Sequence, residues 1–307
     1  MSIHHLLHLL SKMTRMHTLS ASIAGDYGHD DITSEKIVRV LLDTIHLLPH
    51  LRSIRFGHQF ESYHTRTIIN HLLVLPQIET FSFTRIHDAR ACIDALRAAT
   101  HLVSVNIPGA NKDLNFLSSL VQSSSSVEPL GWKHIDCDAG AFDMESCKEL
   151  CKLPSLIRIA VKLSGINDYD TDLSAFSHMP MLSQLDLVCT ENSFGDLHPW
   201  ERQRPFAHRF LQALHPNAAA SLTHLTLSGL SVASHDLNKI LSHFVALRDL
   251  TLHRMYTLTS LDCLPPLLPA QTLVRLTIRA CQSLKCREEL IQDTPALTNL
   301  YSFVVQQ

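Results

Sequence analysis

Three pairs of potential metal ligands have the four-residue spacing that places two side chains on one face of a helix. These pairs are His4 with His8, His46 with His50, and Cys147 with Cys151. Zinc sites in proteins use three or four such ligands, and no further pair lies at a motif spacing from any of these. Neither H-E-x-x-H nor C-x-x-C occurs in the chain. We therefore expect no metal site, and we interpret the cysteines as small core residues.

Motifs for covalent catalysis and for cofactor binding are also missing. G-x-S-x-G is absent, and a total of only 9 Gly residues argues against a glycine-rich phosphate loop. Asp136 and Asp138 are two residues apart on a predicted strand, so both would project from one face, where paired carboxylates can act as acid and base. A solvated acidic patch is the simpler interpretation. The sequence thus predicts no catalytic residue, no cofactor and no enzyme.

The composition points to a globular chain with a sizeable core. It has 307 residues, of which 45% are hydrophobic and 18% are charged, and its formal net charge is -3. This small charge favours neither nucleic acid nor an acidic membrane surface as a partner, and no apolar run is long enough for a membrane span. Without a recognisable signal peptide, the 8 scattered cysteines indicate a reducing cytoplasmic or nuclear setting.

The elements that must position any functional residue belong to a repeat. The phrase L-x-x-L-x-L occurs at 247–252 and again at 273–278, where Cys281 and Leu284 follow at the ninth and twelfth positions. Most successive copies lie roughly 24 to 27 residues apart, a spacing that chance apolar phrases would not keep. We assign the first position of eleven copies to Met16, Leu51, Ile78, Leu102, Trp132, Leu156, Leu182, Leu222, Leu247, Leu273 and Leu297.

Each repeat combines an alternating apolar strand with a return segment, most often a helix. Helical patterns occur at 34–48, 64–75, 88–99, 144–153, 205–214 and 234–244. Stacked right-handed βα units give a parallel sheet, and bulkier helices leave the strands on the inner side. The sequence predicts a single α/β domain over 1–307: a horseshoe-shaped solenoid of about ten to eleven repeats, with strands on the concave face and helices on the convex face.

Three segments depart from the regular pattern. Residues 1–12 read as the helix of an incomplete first repeat, and 24–34 and 189–204 read as insertions that emerge on the same rim. The second insertion contains Trp200 and Arg202, which are residue types that interfaces favour. It is therefore one candidate contact site, although Trp200 could instead pack against the neighbouring helix.

The concave face offers a second candidate site. With positions 1, 4 and 6 of each repeat buried, positions 3, 5 and 7 project into the groove. The C-terminal repeats thereby bring together His224, Asp249, His253, Arg275 and Arg279. Arginine suits bidentate recognition of carboxylate or phosphate, so this patch is a candidate partner-binding site. The alternative is a charged surface that serves solubility alone.

The irregular repeats with helical returns resemble the ribonuclease-inhibitor-like leucine-rich repeats, and in particular the repeat region of fungal F-box/leucine-rich-repeat proteins. In that family an F-box docks on a cullin-type ubiquitin ligase, and the repeats select the protein to be ubiquitinated. Residues 1–48 contain no F-box phrase, so an adaptor role would need an F-box upstream. The resemblance implies a non-enzymatic protein-interaction scaffold, possible alternatives being a GTPase regulator or a receptor for a phosphorylated or anionic ligand on the basic C-terminal concave face.

Overall fold

A computed structural model of the chain describes its strands, their flanking turns and part of the return segments. The described residues are 8, 12–13, 15–21, 39, 42–43, 45–56, 70–71, 75–83, 93, 96–97, 99–107, 121, 131–138, 148–163, 182–189, 221–230, 232–261, 264, 272–284, 287–293, 297 and 300–306.

Eleven short strands occur in these ranges, one for each predicted repeat. They are β1 Thr18–Ala21, β2 Ser53–Phe56, β3 Thr80–Phe83, β4 Ser104–Ile107, β5 His134–Asp138, β6 Arg158–Leu163, β7 Gln184–Cys189, β8 His224–Ser228, β9 Asp249–His253, β10 Arg275–Arg279 and β11 Ser302–Gln306. The first ten all begin at the third position of the repeat, two residues after the predicted anchor. The prediction of a parallel-strand solenoid is confirmed.

The chain divides into two compact units, Met1–Cys137 and Asp138–Gln307. In the first unit, β1 to β4 and the start of β5 lie side by side in chain order, and each pair is parallel. In the second unit, β6 to β11 follow the same rule. Whether the repeats form one continuous domain remains a prediction.

Alternating burial explains why these segments form strands. Positions 4 and 6 of β8 and β9 are Leu225, Leu227, Leu250 and Leu252, and each is at most 1% exposed. Burying one such side chain stabilises the fold by roughly 1.5–3 kcal/mol, and a residue period of two puts both leucines of a strand on the same face. The residues between them stay partly exposed, so the sheet has a core face and an outer face.

Two helices have described bounds, α1 at Ser234–Leu241 and α2 at Arg287–Asp293. In α1, Leu237 and Leu241 are fully buried, while Asp236 in the first turn and Lys239 in the last turn complement the helix dipole. Four other predicted helices contain described helical residues, which are 39, 42–43 and 45 in 34–48, 70–71 in 64–75, 93 and 96–97 in 88–99, and 148–150 in 144–153. The predicted helix at 205–214 lies outside the described residues, as do the insertion 24–34 and all but the first residue of 189–204.

A tight backbone turn precedes the strands. Its position in the last repeat shows that one anchor was predicted incorrectly. In six repeats, the backbone N–H of the anchor bonds to the carbonyl three residues earlier, as from Leu247 to Phe244 at 3.1 Å. In the last repeat the corresponding bond runs from Leu300 to Leu297, and Ser302 pairs with Arg275. Leu300 therefore occupies the anchor position that the sequence assigned to Leu297.

Of the N-terminal helix predicted over 1–12, the structure describes His8 and Lys12, and both are helical. No helical segment in the described part of the chain combines the length and the apolar character that a bilayer crossing requires.

Candidate functional site

The outer face of β6 to β11, which we call the strand face, carries its side chains in three rows. The parallel register aligns equivalent positions of neighbouring strands, so strands about 4.8 Å apart stack their side chains. The first row (position 3) is Arg158, Gln184, His224, Asp249, Arg275 and Ser302. The middle row (position 5) is Ala160, Asp186, Thr226, Thr251, Thr277 and Val304. The last row (position 7) is Lys162, Val188, Ser228, His253, Arg279 and Gln306.

Some of the small residues at the predicted outward positions are buried. Ala160 is 9% exposed and Ser228 is 6% exposed, because a short side chain between longer neighbours is shielded by them. The predicted outward positions therefore include some buried residues, and the accessible chemistry is concentrated on the longer charged side chains.

Asp249 lies at the centre of an ion-pair cluster in the first row. Its Oδ1 accepts a hydrogen bond from Arg275 Nε at 2.5 Å, and its Oδ2 accepts one from a terminal guanidinium nitrogen of Arg275 at 2.6 Å. On the other side, His224 Nε2 is 2.5 Å from Asp249 Oδ2. The sequence brought these three residues onto adjacent strands, and the structure joins them into one chain of contacts, the Asp249 clamp.

The contacts within the clamp determine the ionisation of the Asp249 carboxyl and the orientation of the side chains. The bidentate hydrogen bonds from Arg275 hold the pKa of the Asp249 carboxyl below its ordinary value, with the charges of His224 and Arg248 adding to this effect and partial burial opposing it. The same hydrogen bonds raise the pKa of the Arg275 guanidinium. Bidentate arginine–carboxylate pairs have a preferred planar geometry, so the side chains of this row are held in place before any partner arrives.

The second ring nitrogen of His224 also has a hydrogen-bond partner. Thr223 Oγ1 lies 2.7 Å from His224 Nδ1, and the same hydroxyl lies within hydrogen-bond distance of the carbonyl oxygen of Ser183, at 3.1 Å. The imidazole therefore bridges a backbone-anchored hydroxyl and a carboxylate.

A second arginine–aspartate pair neutralises the other carboxylate of the strand face. Arg158 Nε donates to Asp186 Oδ2 at 2.8 Å, diagonally from the first row of β6 to the middle row of β7. Across the first and middle rows, two arginines thus stand against two aspartates, and each aspartate is paired. The last row contains Lys162, His253 and Arg279 but no carboxylate.

The last row differs from the first in containing no carboxylate. Ser228 Oγ lies 3.0 Å from His253 Nδ1, which orients the imidazole. Arg279 is exposed and lies beside His253 and Gln306 in the register. Among the residues that the structure describes, its guanidinium has no ion-pair partner. Of the five predicted strand-face residues, three therefore form the clamp and two lie in the last row.

Arg254 is a functional candidate that the sequence reasoning missed. It directly follows β9 with a φ of 51°, in the left-handed region, and its side chain is exposed. Its backbone N–H bonds to the carbonyl of Arg279 at 2.9 Å. A left-handed conformation costs a residue with a Cβ roughly 1–2 kcal/mol, and the equivalent position of the preceding repeat is Gly229. That glycine is the sequence signal that could have identified the turn.

The remaining predicted sites are only partly described. Trp200 and Arg202 lie outside the described residues, and so do His4 and Cys147. Asp136 accepts a hydrogen bond from Asn106 Nδ2 at 2.8 Å on the neighbouring strand. Within the described ranges, no three His, Cys, Asp or Glu side chains come together as metal ligands would.

The repeat signature has a structural counterpart in Cys281. Its buried sulfur lies 3.4 Å from the backbone nitrogen of Met255, which donates to it, and 3.6 Å from the carbonyl oxygen of Leu252. The ninth position of one repeat thereby satisfies backbone groups of the repeat before it.

No protein-family model matches the chain, and no curated protein sequence is similar to it. Among solved structures, yeast Rad7 in its complex with Elc1 aligns with 93% of this chain and 75% of its own, at a TM-score of 0.50 and 14% identity. This likeness concerns the fold. The chain is a leucine-rich-repeat solenoid.

Two further leucine-rich-repeat structures align at lower scores. The leucine-rich-repeat domain of APL1B covers 100% of this chain and 74% of its own, with a TM-score of 0.32 and 9% identity. LIC12759 from Leptospira interrogans covers 97% and 98%, with a TM-score of 0.24 and 11% identity.

Proposed function

We propose that the protein is a non-enzymatic scaffold that binds a protein partner through the strand face of β8 to β10. The observation that carries this proposal is the Asp249 clamp, which holds the Arg275 guanidinium, the His224 imidazole and a carboxylate in fixed positions on a partly exposed surface. Side chains that are already ordered lose less conformational entropy on binding. Such an arrangement favours recognition.

The chemistry of the strand face fits a protein surface as ligand. Thr226, Thr251 and Thr277 form a polar part of the middle row, between the clamp and the last row. Arginine is enriched at protein interfaces, and charged groups around a contact set orientation and association rate. We expect Arg275 and Arg279 to contribute most, since both combine charge with exposure.

The more specific role is substrate recognition within an F-box-type ubiquitin ligase receptor. Two observations support it: the resemblance of the repeats to those of F-box proteins, and the fold likeness to Rad7, which was solved together with Elc1. The four described cysteines are free thiols, which agrees with a cytoplasmic or nuclear location. This role requires a docking module, and mapping the 5′ end of the transcript tests whether an F-box segment is encoded upstream.

The partner site is tested by charge reversal in the full chain. Proteins cross-linked to the tagged wild type would be identified by mass spectrometry and their binding repeated with purified components. We expect the Arg275→Glu, Arg279→Glu double variant to lose the partner. Arg55→Glu, a charge reversal at an exposed strand position of the first unit, serves as the matched control and should keep it.

The segment 189–204 is the competing site. If the partner depends on its side chains, Trp200→Ala and Arg202→Ala should abolish binding while the strand-face double variant binds normally. That outcome would reject the strand face as the partner site and leave the scaffold function in place.

A further inference from the structure

Two exposed apolar side chains lie on neighbouring strands at the point where β10 and β11 begin. Val274 directly precedes β10 and is 37% exposed, and Tyr301 directly precedes β11 and is 86% exposed. Most other repeats have a polar residue at this position, and the remaining two have Val103 and Ile157, which are more shielded. Single exposed apolar side chains are common on protein surfaces, whereas contiguous ones mark interaction sites.

Backbone hydrogen bonds place these two residues in one row with Arg248, and we call the three residues the entry row. The N–H of Val274 bonds to the carbonyl of Arg248 at 2.8 Å, and the N–H of Ser302 bonds to the carbonyl of Val274 at 3.3 Å. Arg248 directly precedes β9 and is exposed. Three neighbouring strands therefore begin with a guanidinium group, an aliphatic side chain and a phenol ring, in that order.

The entry row adjoins the Asp249 clamp. Its first two members directly precede Asp249 and Arg275 in the chain. The pKa of the Asp249 carboxyl is lowered mainly by the hydrogen bonds from Arg275, and the charge of Arg248 adds to this effect. The pKa of the Arg275 guanidinium is raised mainly by Asp249, with a further contribution from Tyr301. Two guanidinium groups around one carboxylate leave a net positive charge beside the apolar pair, which favours an acidic ligand over a basic one.

We propose that the entry row binds an acidic segment of the partner protein, which places an apolar side chain on Val274 and Tyr301 and a carboxylate beside Arg248. This inference rests on the proposed function and gives the partner a chemistry. Tyrosine and arginine are among the residue types that most often contribute the binding energy of an interface. Arg248 and Tyr301 are two strand spacings apart, about 10 Å, which an extended segment covers in about three residues. We therefore expect the acidic and the apolar residue of the partner to be about three positions apart.

Peptide binding to the full chain tests the entry row. The probes are arrays of short randomised peptides with a fixed glutamate and a fixed phenylalanine three positions apart, and fluorescence anisotropy measures the affinity of the tightest one. We expect Tyr301→Ala to weaken its binding about tenfold and Arg248→Ala about threefold. Tyr301→Phe keeps the ring and should weaken it less. Leu47→Ala, which shortens an exposed apolar side chain ahead of β2, is the matched control and should bind the peptide as the wild type does.

Two readouts separate recognition from a structural role. Because Tyr301 is largely exposed, Tyr301→Ala should leave the unfolding temperature unchanged. Replacing the glutamate of the peptide by glutamine should weaken binding to the wild type about threefold. The same replacement should have little effect on binding to Arg248→Ala, because both changes remove one ion pair.

Three outcomes would overturn the inference. One is that no peptide of this class binds, and another is that the tightest peptide binds Tyr301→Ala and Arg248→Ala as strongly as the wild type. The third is self-association of the chain that Tyr301→Ala abolishes in sedimentation velocity, which would assign the entry row to a second copy.

The partner assay described above distinguishes this inference from the proposed function. If the Arg275→Glu, Arg279→Glu double variant loses the partner while Tyr301→Ala and Arg248→Ala keep it fully, the entry row is rejected and the strand face remains the partner site. If all of these variants keep the partner, both proposals fail.

Discussion

At the scale of single residues, Asp249 is the charged group whose surroundings are most fully determined. Three described contacts converge on its carboxylate from the strands on either side. Its pKa is lowered mainly by the hydrogen bonds from Arg275. Because the same carboxyl has a higher pKa in the unfolded chain, the free energy of unfolding depends on pH.

We expect Asp249→Asn to lower the free energy of unfolding at neutral pH. Because the folded pKa lies below the unfolded value of about 3.9, this stabilisation is complete above that value. It disappears as the pH falls through the folded pKa. Urea unfolding from pH 7 down to pH 2 should therefore show the wild type and the variant converging only at acidic pH. In an Arg275→Ala background the substitution should have a smaller effect; an equal effect would mean that the hydrogen bonds do not cause the shift.

Gly229 allows a sharper test of the turns that follow the strands. It has a φ of 69°, and an added Cβ would lie 2.8 Å from the carbonyl oxygen of Cys189. Gly229→Ala should lower the free energy of unfolding by about 2 kcal/mol, from backbone strain and this contact together. The matched change is Ala280→Gly, at a φ of 51°, which should leave stability unchanged or raise it by up to about 1 kcal/mol. Comparable losses in both variants would argue against the strain explanation.

The sequence predicted where the side chains of the site lie, but it did not predict which of them bond to one another. The period of two placed His224, Asp249 and Arg275 on the same face of adjacent strands, because backbone geometry fixes the direction of each Cβ. It could not predict that these three side chains bond to one another, since that depends on rotamers of long side chains. Arg254 was missed because L-x-x-L-x-L ends before the turn, where the left-handed backbone occurs. The binding roles of all these residues remain predictions.

At the scale of elements, Cys281 connects the turn after β10 to the turn after β9. We expect Cys281→Ala to lower the free energy of unfolding by about 1–3 kcal/mol, because the buried backbone N–H of Met255 would lose its acceptor. Cys281→Ser keeps a donor and an acceptor and should cost less. Hydrogen exchange at the Met255 amide provides the direct measurement: it should accelerate in the alanine variant, and unchanged exchange there would contradict the assigned role.

The eleventh strand illustrates the limit of pattern reading for an element. Leu297 and Leu300 are three residues apart, so either can begin an L-x-x-L phrase. In other repeats the residue three places before the anchor is also apolar, as Leu48 before Leu51 and Phe244 before Leu247. Apolar spacing alone cannot distinguish these two positions. The backbone turn and the pairing of Ser302 with Arg275 resolve the register.

At the scale of the molecule, a solenoid confines energetic coupling to neighbours. Leu225 and Leu250 are register partners in the core of β8 and β9, whereas Ile54 belongs to β2 in the other unit. Each alanine substitution should cost about 2–5 kcal/mol. The double variant at Leu225 and Leu250 should depart from additivity by at least about 0.5 kcal/mol, and that at Leu225 and Ile54 should be additive within that margin. Urea denaturation measures both cycles, and equal coupling in the two would contradict nearest-neighbour stabilisation.

The parallel ladder of β6 to β11 also determines how the protein would respond to mechanical load. Every strand in it is bonded to its sequence neighbour, so tension applied across the strands opens backbone bonds successively rather than all at once. A terminal repeat would detach first and expose the next one to the same load. Most steps would release roughly 25 residues, or about 80–90 Å of extended chain, and the step between β7 and β8 would release more because the segment 189–204 lies between these strands. Under tension this part of the molecule would behave as a series of small extensible segments that open one after another.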